Sequence, residues 1–362
     1  MDHLFDYVKW RGDLSFRQSA FNEVDALILA ELAFIDFSRI VPARAKDGFV
    51  PLSEAEKAFF KVHRKEDVKL GLLVPDGIVE LFSACARAPR FAGLGVCAYE
   101  NKLDEAERKQ FCAVTFTIGE KLHYVSFRGT DDTLVGWRED CDMACFPPVP
   151  AQLESVSYLE RVAQDTAGTL LLGGHSKGGN LAVYAGVCAS DAVRQRIKRI
   201  YNLDGPGFEE SFISSPRYEE MKPHLRTVMP ESSVVGAFFW QGGEKAVVRS
   251  DAKGLLQHDG FSWEVRGASF VRAEGRSEQS LQFESAMKRW LAQMDRNERQ
   301  DFVDAVFEIL NSSDAKTLLN LYAKGITLPG AFFRLEGQRR KLLLDSLRAL
   351  IREYRDEKKN GE

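Results

Sequence analysis

Residues 169–186, TLLLGGHSKGGNLAVYAG, constrain the fold more than any other part of the chain. TLLLGG is a continuous apolar run that reads as a buried strand, and NLAVYAG reads as a helix of small residues. Between them Gly174-His175-Ser176-Lys177-Gly178 fits G-x-S-x-G. A serine carried on so sharp a strand-to-helix turn tolerates only glycine two residues before and two after, because a Cβ there would strike the strand or the helix. The turn lifts Oγ above the sheet and sets the next residue's amide beside it at a helix N-terminus, where developing negative charge is favoured. Gly173 and Gly179 widen the clearance. Ser176 is therefore the candidate nucleophile. Neighbours on such a turn point apart, so His175 is expected to be packed or hydrogen-bonded, and Lys177 to contribute its amide rather than its side chain.

The flanking texture gives the fold class. Between residues 91 and 275 short β-branched and aromatic runs (GLGVCAYE, FCAVTFTI, LHYVSF, TLLLGG, RIYNLD, LRTVMP, AVVRS) alternate with glycine, proline and helix-like stretches. Two or three hairpin-like runs come first and strand–helix alternation follows, which predicts a mixed α/β sheet, mostly parallel and covered by helices on both faces. Residues 1–90 read as a helical lead-in, with Asn22-Glu23-Val24-Asp25 opening the apolar run ALILAELAFIDF. Residues 276–362 read as a helical extension docked on the core, ending in REYRDEKKNGE.

Bulk properties exclude several classes. The formal charge of -4 offers no basic excess for a phosphate backbone, so nucleic acid is not an expected partner. The six cysteines form neither a CxxC pair nor a cluster with zinc spacing, and free thiols are expected. The opening MDHLFDYVKWRGDL lacks the basic start and apolar run of a signal peptide, and no apolar stretch is long enough to span a bilayer. A reducing cytoplasm is the expected location.

Upstream of the serine, Phe127-Arg128-Gly129-Thr130 ends a strand-like run and is followed by Trp137-x-x-Asp140. Together with GHSKGGNLA this resembles the class 3 lipases, the fungal-type triacylglycerol lipases. The resemblance covers residues 124–207 and implies an α/β-hydrolase fold with Thr130 as the first oxyanion donor beside the amide of Lys177. Asp132 stands where that family often carries a small hydroxyl residue. Over its full length, through YVKWRGDLSF, NEVDALIL, NLDGPGF and QHDGFSW, the chain resembles a family of bacterial lipase-like proteins.

In this fold the catalytic residues run Ser, acid, His along the chain, which leaves His224 and His258 as bases. His224 precedes the strand-like run LRTVM and so sits at its wrong end, whereas His258 lies in a loop after the last strand-like run, where the base belongs. The acid stays open. Asp204, in NLDGPGF, resembles the L-D-P acid of pancreatic-type lipases. Glu231 lies one strand later, Ser233 occupies the place aligned with the class 3 lipase aspartate, and Asp251 and Asp259 are further options.

These residues imply hydrolysis of a medium-sized apolar acyl ester through an acyl-enzyme, with no metal or organic cofactor. The same turn serves thioesterases, amidases and acyltransferases, and a non-catalytic scaffold using its C-terminal helices is the rival outside enzymes. FVPLSEAEKAFF, GAFFW and LPGAFF could line a pocket or form a lid. The oligomeric state is left open.

Overall fold

The computed structural model describes residues 2–64, 68, 70–71, 74–311, 315–317, 320 and 332–361. All seven apolar runs form strands, and one short strand precedes them: β1 Val50–Pro51, β2 Gly95–Asp104, β3 Lys109–Ile118, β4 Leu122–Phe127, β5 Thr169–His175, β6 Ile197–Leu203, β7 Leu225–Pro230 and β8 Glu244–Val248. They lie in this order in one eight-stranded sheet. β1 to β4 are antiparallel neighbours, and from β4 to β8 every pairing is parallel. The expected switch from hairpins to crossovers therefore falls at β4. Helix Pro150–Asp165 carries the chain from β4 to β5, and helix Lys177–Cys188 from β5 to β6.

Alternation along the strands feeds two separate cores. Tyr124 of β4 and Leu171 of β5 pack on the N-terminal helices. Val125 and Phe127, with Leu170 and Leu172, pack on helices Pro150–Asp165 and Lys177–Cys188. An eight-stranded, mostly parallel sheet covered on both faces in this way is an α/β-hydrolase fold.

Helix Glu23–Leu32 lies at the heart of the first core, with every residue buried. Asn22 caps it by accepting from the amides of Val24 and Asp25, as the sequence suggested. The sheet grips its carbonyls: the Tyr124 hydroxyl donates to Ala26 O at 3.0 Å and the Ser126 hydroxyl to Leu29 O at 3.1 Å. At the other end of the chain, helices Glu278–Ala292, Arg296–Leu310 and Gly337–Gly361 pack around Trp290 and Phe302. They meet the sheet layer where Arg138 pairs with Asp304 and where the amide of Ser277 donates to Glu231 O at 2.7 Å.

All six cysteines are free thiols. Among the described residues no helix is long and apolar enough to cross a membrane.

Candidate active site

Ser176 sits between β5 and helix Lys177–Cys188 with φ 58° and ψ -132°, a conformation that costs a non-glycine residue about 1–3 kcal/mol. The flanking glycines make it feasible. A Cβ on Gly174 would lie 2.4 Å from Phe127 O, and one on Gly178 would lie 2.0 Å from the same oxygen. The strained turn is held by β6, because the Ser176 amide donates to Leu203 O at 2.9 Å.

The next residue of that strand end is Asp204, fully buried and itself at positive φ, with its amide on Val228 O at 2.7 Å. Its two carboxylate oxygens have separate partners. Oδ2 lies 2.7 Å from His258 Nδ1, and Oδ1 accepts from the Ser233 hydroxyl at 2.5 Å. Since a carboxylate only accepts, Nδ1 carries the proton and Nε2 is left as the basic nitrogen. The His258 turn is fixed from several sides. Trp263 Nε1, fully buried, donates to Gln257 O at 2.8 Å, the Gln257 amide oxygen accepts from Ser232 N at 2.7 Å, and Asp259 caps the turn that follows through Phe261 N.

The other acids open at the sequence level are engaged elsewhere. Asp251 pairs with His3 and Asp259 is a turn cap, while for Glu231, just past β7, no hydrogen bond or ion pair to His258 is found among the described residues. The Ser233 hydroxyl braces Asp204 instead. His224 is half-buried just before β7, with Nδ1 near Lys198 O. Among the described residues no hydrogen bond joins the Ser176 hydroxyl to the His258 ring.

On the far side of Ser176, the Lys177 ammonium is buried away from solvent, donating to Glu139 at 2.6 Å and to Gln110 O at 2.9 Å. This leaves its amide, at the first turn of the helix, next to Ser176. The Thr130 hydroxyl donates to Asp140 Oδ2 at 2.5 Å. Burial pushes the Asp140 carboxyl up to about 6, against the opposing pull of Lys177 and of the Thr130 hydrogen bond.

One element of the site lies outside the sequence motifs. His175 Nε2 reaches the backbone carbonyl of His258 at 2.8 Å, the two rings stack at 4.7 Å, and Nδ1 lies 3.2 Å from Glu31, a fully buried carboxylate of helix Glu23–Leu32. A carbonyl needs a donor, so Nε2 is protonated, and Nδ1 faces the Glu31 carboxylate. Burial disfavours charge on His175, but Glu31, followed by Asp204 and Asp259, outweighs it and holds the imidazole above its ordinary range. Helical periodicity alone marks Glu31 as one acid among several, so no sequence signal singles it out.

A cavity of about 280 Å³ runs along the elbow helix at Asn180 and Tyr184, walled by Met143, Phe208, Phe212 and Phe239. Phe239 belongs to the GAFFW segment, whereas Phe59 of FVPLSEAEKAFF is buried core. Residues 328–331 of LPGAFF lie outside the described residues.

Rhizomucor miehei lipase in complex with its propeptide aligns at 18% identity and a TM-score of 0.34, over 43% of this chain and 57% of that one. A fungal lipase–inhibitor complex aligns at 17% and 0.33, over 47% and 68%, and M37 lipase at 11% and 0.31, over 44% and 62%. The chain thus spans little more than half the length of the first of these lipases. No curated protein matches it. The family model described as Mbeg1-like matches residues 85–308, the stretch that carries the whole sheet from β2 onward and every residue of the candidate site except Glu31, and on that match the chain belongs to the Mbeg1-like family, a lipase-like family.

Proposed function

We propose that the chain is a serine hydrolase that cleaves carboxylic esters of small-molecule acyl substrates through an acyl-enzyme. The observation that carries this reading is the Asp204–His258 hydrogen bond of 2.7 Å, delivered to the turn on which Ser176 is held in strain. In the proposed reaction His258 Nε2 takes the Ser176 proton as Oγ attacks the carbonyl carbon. Asp204 keeps the imidazole in the required tautomer and stabilises the imidazolium. The amides of Thr130 and Lys177 receive the oxyanion. On collapse His258 returns the proton to the leaving alcohol, and water then repeats the sequence to free Ser176. The unmade Ser176–His258 bond fits a site without substrate, since such contacts tighten in the Michaelis complex.

The aromatic-walled cavity along the elbow helix starts at Asn180, one turn on from Ser176, and is lined by neither Ser176 nor His258; it is the space that would take a medium-sized apolar acyl group, and the free thiols suit a reducing cytoplasm. No step requires a metal or an organic cofactor. The test is covalent labelling of the purified chain by a fluorophosphonate probe, with Ser176→Ala as control. Labelling lost in the variant is the expected result; a parent chain that stays unlabelled would sink the hydrolase reading in favour of a scaffold. Supplying an alcohol or a thiol acceptor during ester turnover then separates hydrolysis from acyl transfer.

A further inference from the structure

The C-terminal helix Gly337–Gly361 has one face in the protein and one with no partner among the described residues. Inward, Leu343 is buried, Trp290 Nε1 donates to Ser346 O at 2.8 Å, and Glu353 and Glu357 both pair with Arg289. Outward, Leu344, Leu347, Ile351 and Tyr354 are 38%, 45%, 50% and 36% exposed. Their spacing of three, four and three residues puts them in one stripe along the helix. At 100° per residue the solvent-facing arc next to that stripe contains Lys341, Arg348, Arg352 and Arg355, all exposed, with Asp345, which pairs with Arg348 at 3.3 Å, and Asp356 on its outer edge. A chain of net charge -4 thus shows, on this helix, an exposed apolar stripe flanked on one side by basic residues.

We propose that this face docks the protein on the surface of an anionic phospholipid bilayer, the helix lying in the plane of the headgroups. Charge complementarity selects the occupant. Leucine, isoleucine and tyrosine enter the acyl boundary while the arginines stay at headgroup level and pair with lipid phosphate and carboxylate groups. A second copy of the same helix fits poorly, because antiparallel pairing would set the two arginine rows against each other. Nucleic acid would use the charges and leave the stripe in water. The inference is independent of the hydrolase reading, since it concerns a helix remote from Ser176 in sequence and needs no turnover to test.

The experiment is co-sedimentation of the full chain with vesicles of phosphatidylcholine alone and with vesicles in which about a third of the lipid is phosphatidylserine. Binding is expected only to the anionic vesicles and should fall steeply as salt is raised. Leu347→Glu with Ile351→Glu should abolish it. Arg348→Ser with Arg352→Ser and Arg355→Ser should weaken it by roughly fivefold per arginine removed. All these side chains are exposed, so thermal melts of both variants should match the parent, and the arginine set tests the idea even where the glutamates perturb folding. Any one of four outcomes overturns the proposal: no binding to anionic vesicles, equal binding to both compositions, variants that bind like the parent, or retention on single-stranded RNA without vesicle binding.

Discussion

Asp204 is held at both oxygens, by His258 Nδ1 and by the Ser233 hydroxyl, and the two contacts predict different penalties. In ester turnover Asp204→Asn should lower kcat by roughly 10⁴-fold, because an amide leaves the imidazole in the wrong tautomer. Ser233→Ala removes one hydrogen bond to a buried carboxylate, an interaction worth about 1.5–3 kcal/mol, and should cost activity roughly tenfold with little change in KM. Glu231→Gln should leave kcat within about twofold of the parent. A large loss in Glu231→Gln with a mild Asp204→Asn would transfer the acid assignment. Ser176 stands out in the sequence because the glycines its own backbone requires surround it, whereas Asp204, at a strand end, stays one candidate acid beside Glu231, Asp251 and Asp259. Ser233 and Glu31 do not stand out. Their importance comes from what they touch across the fold, Asp204 in one case and His175 in the other, and neither contact leaves a mark in local spacing.

Elements were more legible than contacts. The alternating apolar runs located seven strands, since a half-buried or fully buried strand must carry a pattern of period two or a continuous apolar run. The Asn22 cap located the start of helix Glu23–Leu32. What periodicity could not show is that this helix is buried on all sides and supplies a carboxylate to the site. Asn22 also donates through Nδ2 to the Tyr7 hydroxyl at 2.9 Å, so Asn22→Ala loses a cap and a tertiary bond together. It should lower unfolding free energy by about 1–2 kcal/mol in a denaturant titration.

Helix Leu134–Cys145, which presents Asp140 to Thr130, allows a prediction in pH. The Asp140 carboxyl is raised from 3.8 to about 6 in the folded chain, so the folded state binds that proton more tightly than the unfolded state does. Its contribution to stability is fully present below the ordinary carboxyl range and is lost as pH rises through about 6. Asp140→Asn has no such titration. The stability of the parent relative to this variant should therefore fall by up to about 3 kcal/mol between about pH 4 and pH 7. A difference that stays flat over that interval would show that Asp140 titrates normally.

At the scale of the molecule, the question is whether the helical lead-in of residues 1–90 behaves as a separate unit from the α/β core. The side chains argue for one cooperative body. Leu4, Tyr7, Leu27 and Phe82 share a single hydrophobic cluster with Val114, Tyr124, Leu171 and Trp263, and the thiol of Cys112 on β3 points at Ala33 O. At the centre of the lead-in, Arg90 and Asp25 form an ion pair with both side chains fully buried, and the guanidinium also donates to Leu14, Ser19 and Ala20 carbonyls. Replacing one partner leaves an uncompensated buried charge, so Asp25→Ala should destabilise the fold by about 3–5 kcal/mol. Two buried thiols can report where that loss is felt: Cys85 lies in helix Gly77–Arg87 of the lead-in, and Cys112 in the sheet. If the parts unfold together, both thiols become reactive to a maleimide at the same urea concentration in the parent, and both shift to the same lower concentration in Asp25→Ala. Early labelling of Cys85 with Cys112 still protected would mean that the lead-in opens as a unit of its own, and that Glu31 can leave His175 without unfolding the sheet.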